Sequence, residues 1–244
     1  MKKMLSLAER NVKEILRDPI NLAFGLGFPL VLLVLMSIIQ ANVPVDLFNI
    51  NSLTPGITVF GLSFMSLFSA TMLSRDRGSS FLKRLYTTPL TARDFIMAYT
   101  LPVIPLAVGQ SVVCYIAALF FGLKPAVNIF LAILFIIPVA SLYIGIGLLC
   151  GSTLTDKQVG GICGALLANV SGWLSGIWFD LSLVGGVFKK IAYALPFVHA
   201  VEMEKAVLSG DLMGIFPHIF WVLGYSAVIM TLAVILFLRQ MKRN

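Results

Sequence analysis

The segment AVNIFLAILFIIPVASLYIGIGLLCGSTLT, residues 126–155, decides the fold of this chain because it contains no charged side chain. A helix needs about 20 predominantly apolar residues to cross the hydrocarbon core of a bilayer. Further uncharged stretches of this kind lie at residues 20–40, 55–74, 95–123, 158–179 and 212–238. We therefore predict an all-α membrane protein with six transmembrane helices.

The composition supports a chain that folds in lipid. It has 244 residues, of which 59% are hydrophobic and 12% are charged, whereas about 25% of the residues of a soluble domain are charged. We predict a single membrane domain over residues 1–244, with an amphipathic segment at 1–18, the spans within 20–238 and a tail at 239–244. The first span follows a charged segment and no small-residue cleavage site follows it, so we expect the N-terminus to be retained.

The Lys and Arg residues predict the orientation. With six spans and the N-terminus inside, the inner segments hold fourteen of the eighteen basic residues. The outer segments hold the remaining four, Lys124, Lys189, Lys190 and Lys205. This asymmetry places both termini in the cytoplasm. The net charge of +7 thus reflects topology, and we expect the bilayer, not a nucleic acid, as the partner of the basic residues.

Residues 1–18 have the periodicity of an amphipathic helix, which Asp18-Pro19 should end because the residue before proline disfavours the α conformation. Such a helix is expected on the cytoplasmic membrane surface. It could be a simple anchor, or it could contact a cytoplasmic partner. Glu9 and Glu14 favour contact, since an anchor on anionic lipid has no need of acidic residues.

The cytoplasmic loop at residues 75–94, RDRGSSFLKRLYTTPLTARD, contains a short helical run between Gly78 and Pro89. An exposed short helix with aromatic side chains suits docking into a groove on another protein, or it could lie on lipid. The expected contact residues are Phe81, Leu82, Lys83, Arg84, Leu85 and Tyr86. Thr91 and Asp94 have the spacing of a capping box at the start of the third span.

Two patterns of small residues mark helix faces. The second span carries a polar stripe, and the fifth span carries small residues at every fourth position, which allows two helices to approach closely. The stripe could pack against a helix or line a pathway; the ridge could pack within the chain or between two chains. The stripe is Ser63, Ser66 and Ser69, with Asn169 as a further lining candidate, and the ridge is Gly160, Gly164, Ala168, Gly172 and Gly176.

On the outer side, residues 180–210 predict two short helices separated by Pro196 that dip into or lie on the outer half of the bilayer. The chain lacks the motifs of a P-loop, a GxSxG hydrolase or an HExxH metalloprotease. His199 and His218 are too distant in sequence for a helical metal site, and Cys114, Cys150 and Cys163 lie in spans without a CxxC pair. We predict no catalytic residue, bound cofactor, metal or disulfide.

Together these features resemble the permease subunit of an ABC transporter of the ABC-2 type. Arg17-Asp18-Pro19 ends a helix similar to the connecting helix of that family. The loop at 75–91, with its Arg-x-x-Gly, Leu-x-x-Leu and Thr-Thr-Pro-Leu elements, resembles the region of the coupling helix. Leu174-Ser175-Gly176 followed by Tyr193-Ala-Leu-Pro-Phe-Val-His-Ala-Val-Glu202 resembles the signature before the last span.

The resemblance implies two permease chains, as a homodimer or heterodimer, each bound to a separate ABC ATPase subunit that holds ATP and Mg. The coupling helix around residues 81–86 would sit in a groove on the ATPase, and the second and fifth spans would lie at the dimer interface and along the pathway. The family mostly exports drugs, antibiotics, lipids or polysaccharides. The absence of buried charge in the spans favours an amphiphilic substrate, and we expect the cytoplasmic membrane of a bacterium.

Two alternatives remain open at this stage. The chain could be a secondary carrier or channel, which would be active without an ATPase. It could also be a membrane scaffold subunit that transports nothing.

Overall fold

Helices make up most of the chain, as the uncharged stretches predict. The computed structural model describes residues 2–44, 48–79, 81 and 91–243, and no β-strand occurs in those ranges. Among the described residues, five helical segments are long and apolar enough to cross a membrane: Pro19–Asn42, Ile50–Gly78, Arg93–Phe120, Val127–Thr153 and Leu212–Arg239. The predicted all-α membrane fold is therefore confirmed.

The described helices are numbered in chain order. The first half contains α1 (Lys2–Leu16), α2 (Pro19–Leu22), a π-helix (Ala23–Gly27), α3 (Phe28–Asn42), α4 (Ile50–Gly78), α5 (Ala92–Thr100) and α6 (Val103–Phe120). The second half contains α7 (Val127–Thr153), α8 (Asp156–Val159), a second π-helix (Gly160–Leu166), α9 (Leu167–Leu174), α10 (Leu181–Val184), α11 (Gly186–Ala194), α12 (Pro196–Ser209) and α13 (Leu212–Arg243).

Local capping chemistry determines where α2 and α5 begin. Helix α1 ends at Leu16, and the Asp18 carboxylate accepts a hydrogen bond from the Asn21 backbone N–H at 3.2 Å, with Pro19 in the first turn of α2. Thr91 and Asp94 form the predicted capping box at α5, since each side chain accepts from the other residue's backbone N–H. These contacts satisfy N–H groups that a helix start leaves unpaired.

The predicted fifth span is shorter than expected. Consecutive helical segments run over residues 156–174 and include the second π-helix, instead of continuing to residue 179. Gly176 adopts a φ of +73°, a left-handed conformation that ends helices and suits glycine. Gly176 therefore lies in the turn after α9 and not on the helical ridge where the sequence pattern placed it.

Helix α4 lies at the centre of the bundle. In the most apolar stretch of α4, 94% of the residues are buried, whereas the corresponding share is 22% in the first span and 17% in the last. Helix α7 approaches it closely because Gly147 and Gly151 lack side chains there. A Cβ atom at Gly147 would clash with the Ser66 carbonyl oxygen, and one at Gly151 would lie 2.6 Å from the Ala70 carbonyl oxygen. Small residues thus permit backbone-to-backbone packing of the two spans.

The outer segment contains three short helices, of which α11 and α12 are the predicted pair that meets at Pro196. Helix α11 ends at Ala194, and α12 begins at Pro196, where proline is compatible with the first helical turn. Helix α12 packs into the bundle against α4, α7 and α13. Its buried apolar side chains include Phe197, Val198, Val201, Met203 and Val207. Helix α12 is therefore part of the core, whereas Ala192 is the one buried residue of α11. We call the two helices the α11–α12 hairpin.

Candidate functional site

At the end of the bundle that the charge pattern predicts to be cytoplasmic, Arg10 of α1 forms a two-point ion pair with Asp76 of α4. The Nη1–Oδ2 distance is 2.5 Å and the Nη2–Oδ1 distance is 2.7 Å. The Asp76 side chain is only 4% exposed, and it also accepts a hydrogen bond from the Tyr99 hydroxyl of α5. Planar pairing of guanidinium and carboxylate combines charge with geometric specificity. One buried carboxylate thus joins α1, α4 and α5.

Arg10 makes three further contacts. Its guanidinium pairs with Glu14 one turn later in α1 and donates to the Asn11 side-chain oxygen at 3.0 Å. Its guanidinium carbon also lies 4.4 Å from the centre of the Phe81 ring, within the range of a cation–π interaction. Phe81 is the first residue of the predicted coupling run. Arg10 therefore connects that run with the bundle; we call Arg10, Asp76, Tyr99, Glu14 and Phe81 the inner hub.

Helix α1 is held to the bundle by a buried polar contact as well as by apolar packing. The Asn11 side chain is fully buried, and its Nδ2 donates to the Ala98 carbonyl at 3.0 Å. Leu7, Ala8 and Ile15 are buried around it. Met4 is partly buried, and Leu5, Val12 and Leu16 remain exposed. This second apolar face fits the predicted position at a membrane surface.

The electrostatics of the inner hub follow from its partial burial. Burial raises the pKa of the Glu14 carboxyl, with Asp76 adding to the effect, and Arg10 opposes the rise. Burial on its own would lower the pKa of Arg10, but the hydrogen bonds and the charge of Asp76 have the larger effect and raise it. Arg10 is therefore permanently charged, while two carboxylates compete for it.

Two more arginines hold the C-terminal end of α4. Arg77 donates to the carbonyl oxygens of Ser152 and Leu154, which lie where α7 ends and where a helix leaves its carbonyls unpaired. Arg75 lies 3.4 Å from Asp18 and 3.5 Å from Asp156. A displacement at the end of α4 would therefore reach the starts of the first and fifth spans.

The predicted contact residues of α1 lie on an open charged surface. Glu9 pairs with Lys13 at 2.7 Å, and this hydrogen bond lowers the pKa of Glu9. Glu9 and Glu14 border a cleft of about 530 Å³ that is lined by charged residues of α1. Of the predicted coupling residues, Phe81 contacts Arg10, whereas Leu82, Lys83, Arg84, Leu85 and Tyr86 lie outside the described residues.

The two small-residue patterns have different surroundings. Ser63, Ser66 and Ser69 are fully buried within the bundle, and Ser69 donates to the Met65 carbonyl of its own helix at 3.0 Å. In this conformation they contribute to helix packing, and their role along a pathway stays a prediction. Asn169 is exposed, and its Nδ2 donates to the Ala165 carbonyl at 2.8 Å.

The ridge of the fifth span mostly faces its own chain. A Cβ atom at Gly164 would touch Leu67 of α4 at 3.4 Å, and one at Gly172 would lie 2.8 Å from the Trp178 indole nitrogen. Ala168 is buried against Phe60 and Phe64. Gly160 has no atom near its Cβ position. The exposed face of this span is instead formed by Gly161, Ala165, Asn169 and Trp173.

Sequence reasoning missed several residues that the fold brings together. Arg10, Asp76 and Tyr99 were not predicted as a cluster, although the Arg-Asp-Arg triplet after an apolar span was a visible signal. Glu204 of α12 is fully buried, and neither carboxylate oxygen has a hydrogen-bond partner among the described residues. His199 and His218 also meet, with their Nδ1 atoms 2.9 Å apart. In the described ranges no group of three or more His, Cys, Asp or Glu side chains could hold a metal ion.

Comparison with known proteins gives two findings. The model of the family described as ABC-2 type transporter matches residues 2–208. Two relatives carry the name "Putative transport permease ycf38": that of Porphyra purpurea is 36% identical over 126 residues, and that of Pyropia yezoensis is 33% identical over 126 residues. Each match covers 49% of this chain and 43% of the relative, so less than half of each curated relative is matched.

Proposed function

Since the chain belongs to the ABC-2 type transporter family and is a multi-pass membrane permease, we propose that it forms the transmembrane part of an ATP-driven exporter. A separate ABC ATPase subunit binds ATP and Mg and supplies the energy. The chain itself catalyses no reaction and binds no cofactor. Its termini lie in the cytoplasm, and the membrane is the cytoplasmic membrane of a bacterium.

The inner hub is the observation that carries the ATPase-driven mechanism. Phe81 stacks on Arg10, and Arg10 is bonded to Asp76 at the inner end of the central span. A push on the segment that begins at Phe81 is therefore transmitted through a charged, geometrically specific contact to α1 and α4. The charged cleft beside Glu9 and Glu14 offers the same partner a second contact. This arrangement suits a subunit driven from the cytoplasmic side.

A second copy of the permease completes the transporter, as a homodimer or with a related chain. The exposed face of the fifth span carries Gly161, Ala165 and Asn169. An exposed amide at membrane depth is costly in hydrocarbon unless it faces protein or a water-filled cavity. Small residues on the same face allow close approach of a second helix. The translocation pathway therefore lies between two copies, beside Asn169.

The substrate class is amphiphilic, such as a drug-like molecule, an antibiotic or a lipid. An apolar cleft of about 390 Å³ opens on the surface of α13, and its lining includes Phe220, Trp221 and Tyr225. Aromatic rings with one polar atom are suited to molecules at the membrane interface. Charged side chains cluster at the inner hub and on the α11–α12 hairpin. The surface of the bundle between them can therefore contact the apolar part of a substrate.

The decisive experiment is purification of tagged protein in mild detergent, followed by identification of the proteins that accompany it. We expect an ATPase subunit in a fixed ratio, and its loss in Leu82→Asp/Leu85→Asp. The matched control is Leu183→Asp/Val184→Asp, because both side chains are exposed on α10 and lie on the predicted outer face. Retention of the ATPase in the first variant would refute the coupling contact. Transport by the chain alone without ATP would refute the proposed function.

A further inference from the structure

Two histidines that are distant in the sequence meet at the outer end of the bundle. His199 belongs to α12 and His218 to α13, and their Nδ1 atoms are 2.9 Å apart. The other ring nitrogen of His199, Nε2, lies 3.0 Å from the Tyr193 carbonyl oxygen. On its other side the His199 ring stacks on Trp221, with ring centres 4.6 Å apart and planes inclined by 14°.

These contacts determine the tautomers of the neutral pair. A carbonyl oxygen only accepts, so Nε2 of His199 carries a proton and donates to Tyr193. In a neutral ring Nδ1 of His199 is then an acceptor. His218 must therefore carry its proton on Nδ1 and donate it to His199. Every proton in this chain of contacts has an acceptor.

The same geometry limits how many additional protons the pair can hold. One more proton on either ring leaves a single hydrogen between the two Nδ1 atoms, so the contact becomes charge-assisted and persists. A second proton places an N–H on both Nδ1 atoms at 2.9 Å, with two like charges in contact. Neither nitrogen can then accept, and the contact must break. The two protonation steps belong to the pair and not to either ring.

Charged groups surround the pair on both packed elements. On α12, Glu202 interacts with the His199 ring, and its carboxylate is 2.9 Å from Lys205 Nζ. Asp211, just before α13, borders with Glu202 and His218 a polar cleft of about 430 Å³. From α11, Lys189 lies 5.9 Å from the Tyr193 ring. The cleft connects His218 with the aqueous outer side, so protons can reach it.

The pair also lies where the α11–α12 hairpin is attached to the last span. The Tyr225 hydroxyl of α13 donates to the Ala194 carbonyl at 2.6 Å, one residue after the carbonyl that His199 contacts. Tyr193, Ala194 and His199 are thus held against α13 by side chains within a short stretch. If the histidine contact is lost, the hydrogen bond from the Tyr225 hydroxyl to the Ala194 carbonyl still joins α13 to the end of α11.

We propose that His199 and His218 form a proton-sensitive latch that holds the α11–α12 hairpin on the last span and releases it when the outer side becomes acidic. The inference goes beyond the proposed transport function, because it requires neither an ATPase nor a particular substrate.

The direction of the pH effect follows from the surroundings of His199. Burial lowers its pKa, while the Tyr193 carbonyl and the Glu202 carboxylate partly counteract the fall. Since the folded pKa lies below the ordinary value of about 6.5, the unfolded chain binds more protons in the interval between the two. The neutral latch is therefore intact above about pH 6.5. A singly protonated pair keeps the contact, and release follows the second proton as the pH falls further.

The test uses the full chain in lipid nanodiscs with Trp173→Phe and Trp178→Phe, which leaves Trp221 as the one tryptophan. Stacked imidazolium quenches indole fluorescence, so the emission reports protonation of His199. Hydrogen exchange of residues 186–209 reports release of the hairpin. We expect quenching and a fall of about tenfold in hairpin protection between about pH 7.5 and about pH 5. In His218→Gln we expect low protection that no longer changes with pH.

Three controls decide the outcome. Tyr225→Phe removes the neighbouring hydrogen bond without a titrating group, so its fluorescence midpoint should equal that of the parent. Glu202→Gln should move the midpoint to lower pH, because a nearby carboxylate favours the protonated ring. The latch would be overturned if acidification lowered the protection of the hairpin equally in His218→Gln and in the parent. It would also be overturned if acidification lowered the protection in neither protein. A stoichiometric transition metal that is bound by the parent and lost in His218→Gln would also overturn it.

Discussion

The guanidinium of Arg10 and the carboxylate of Asp76 form a bidentate pair that joins residues 66 positions apart in sequence. Asp76 is almost fully buried, while Arg10 is about one-third exposed and also stacks on Phe81. The pair therefore extends from the bundle interior to the segment that we propose as the ATPase contact. This position makes it the contact whose loss should affect both folding and coupling.

Replacing Arg10 with alanine should lower stability because it leaves the Asp76 carboxylate buried without a cation. Breaking a buried ion pair costs about 3–5 kcal/mol, and the partial exposure of Arg10 reduces our expectation to about 2–3 kcal/mol. Unfolding in detergent, followed by tryptophan fluorescence, measures the change. The control is Arg75→Ala, whose ion pairs are half-exposed and should contribute less than about 1 kcal/mol. Equal losses in the two variants would contradict the central role of Arg10.

Adding a methyl group at Gly147 should force α7 away from α4, because the obstacle is the backbone carbonyl of Ser66. We expect Gly147→Ala to lower the free energy of unfolding by about 1–3 kcal/mol. Gly109 lies within α6 and has no atom within 4 Å of its Cβ position. Gly109→Ala should therefore stabilise the protein by about 0.5–1 kcal/mol through helix propensity. Thermal unfolding of both variants tests whether Gly147→Ala lowers the unfolding temperature while Gly109→Ala raises it.

Cysteine cross-linking should distinguish the two faces of the fifth span. In a background where Cys114, Cys150 and Cys163 are replaced by alanine, Gly161→Cys and Ala165→Cys should form disulfide-linked dimers in membranes, because both positions are exposed.

Ala168→Cys should remain monomeric under the same oxidation, since Phe60 and Phe64 of its own chain cover it. Cross-linking at position 168 but not at 161 or 165 would place the ridge predicted from sequence at the subunit interface.

Substituting Glu204 with glutamine should stabilise the protein at neutral pH. Burial raises the pKa of this carboxyl, so the folded state binds a proton that the unfolded state has lost. The resulting stability is present below about pH 4.5 and is lost as the pH rises toward the folded pKa. A neutral glutamine removes this dependence.

The measurement is the unfolding temperature of Glu204→Gln and parent at several pH values. The difference should grow from about pH 4.5 to about pH 7.5. Glu9→Gln is the matched control, because the Glu9 carboxylate is exposed and paired with Lys13. A constant difference across this range would mean that Glu204 is ionised in the folded protein.

Interactions close in sequence were predictable from local chemistry. The capping box at Thr91 and Asp94, the break at Asp18-Pro19 and the break before Pro196 each depend on neighbours within about four residues. The left-handed turn at Gly176 is local as well, but the fourfold spacing of small residues favoured a longer helix. In the part of the chain that the structure describes, five of the six predicted spans are helices of membrane-spanning length, because uncharged stretches of that length have few alternatives in lipid.

The sequence by itself determined the solvent and the helical class, because a run of uncharged residues must satisfy its backbone hydrogen bonds internally within a membrane. Tertiary structure decided which faces meet. It put Ser63 and Ser66 inside the bundle, paired Arg10 with Asp76, buried Glu204 and brought His199 to His218. Helical periodicity gives the position of a residue around its own helix but not the neighbour that the face will meet. That choice depends on close packing among all the helices, in which glycines such as Gly147 determine how near two backbones can come.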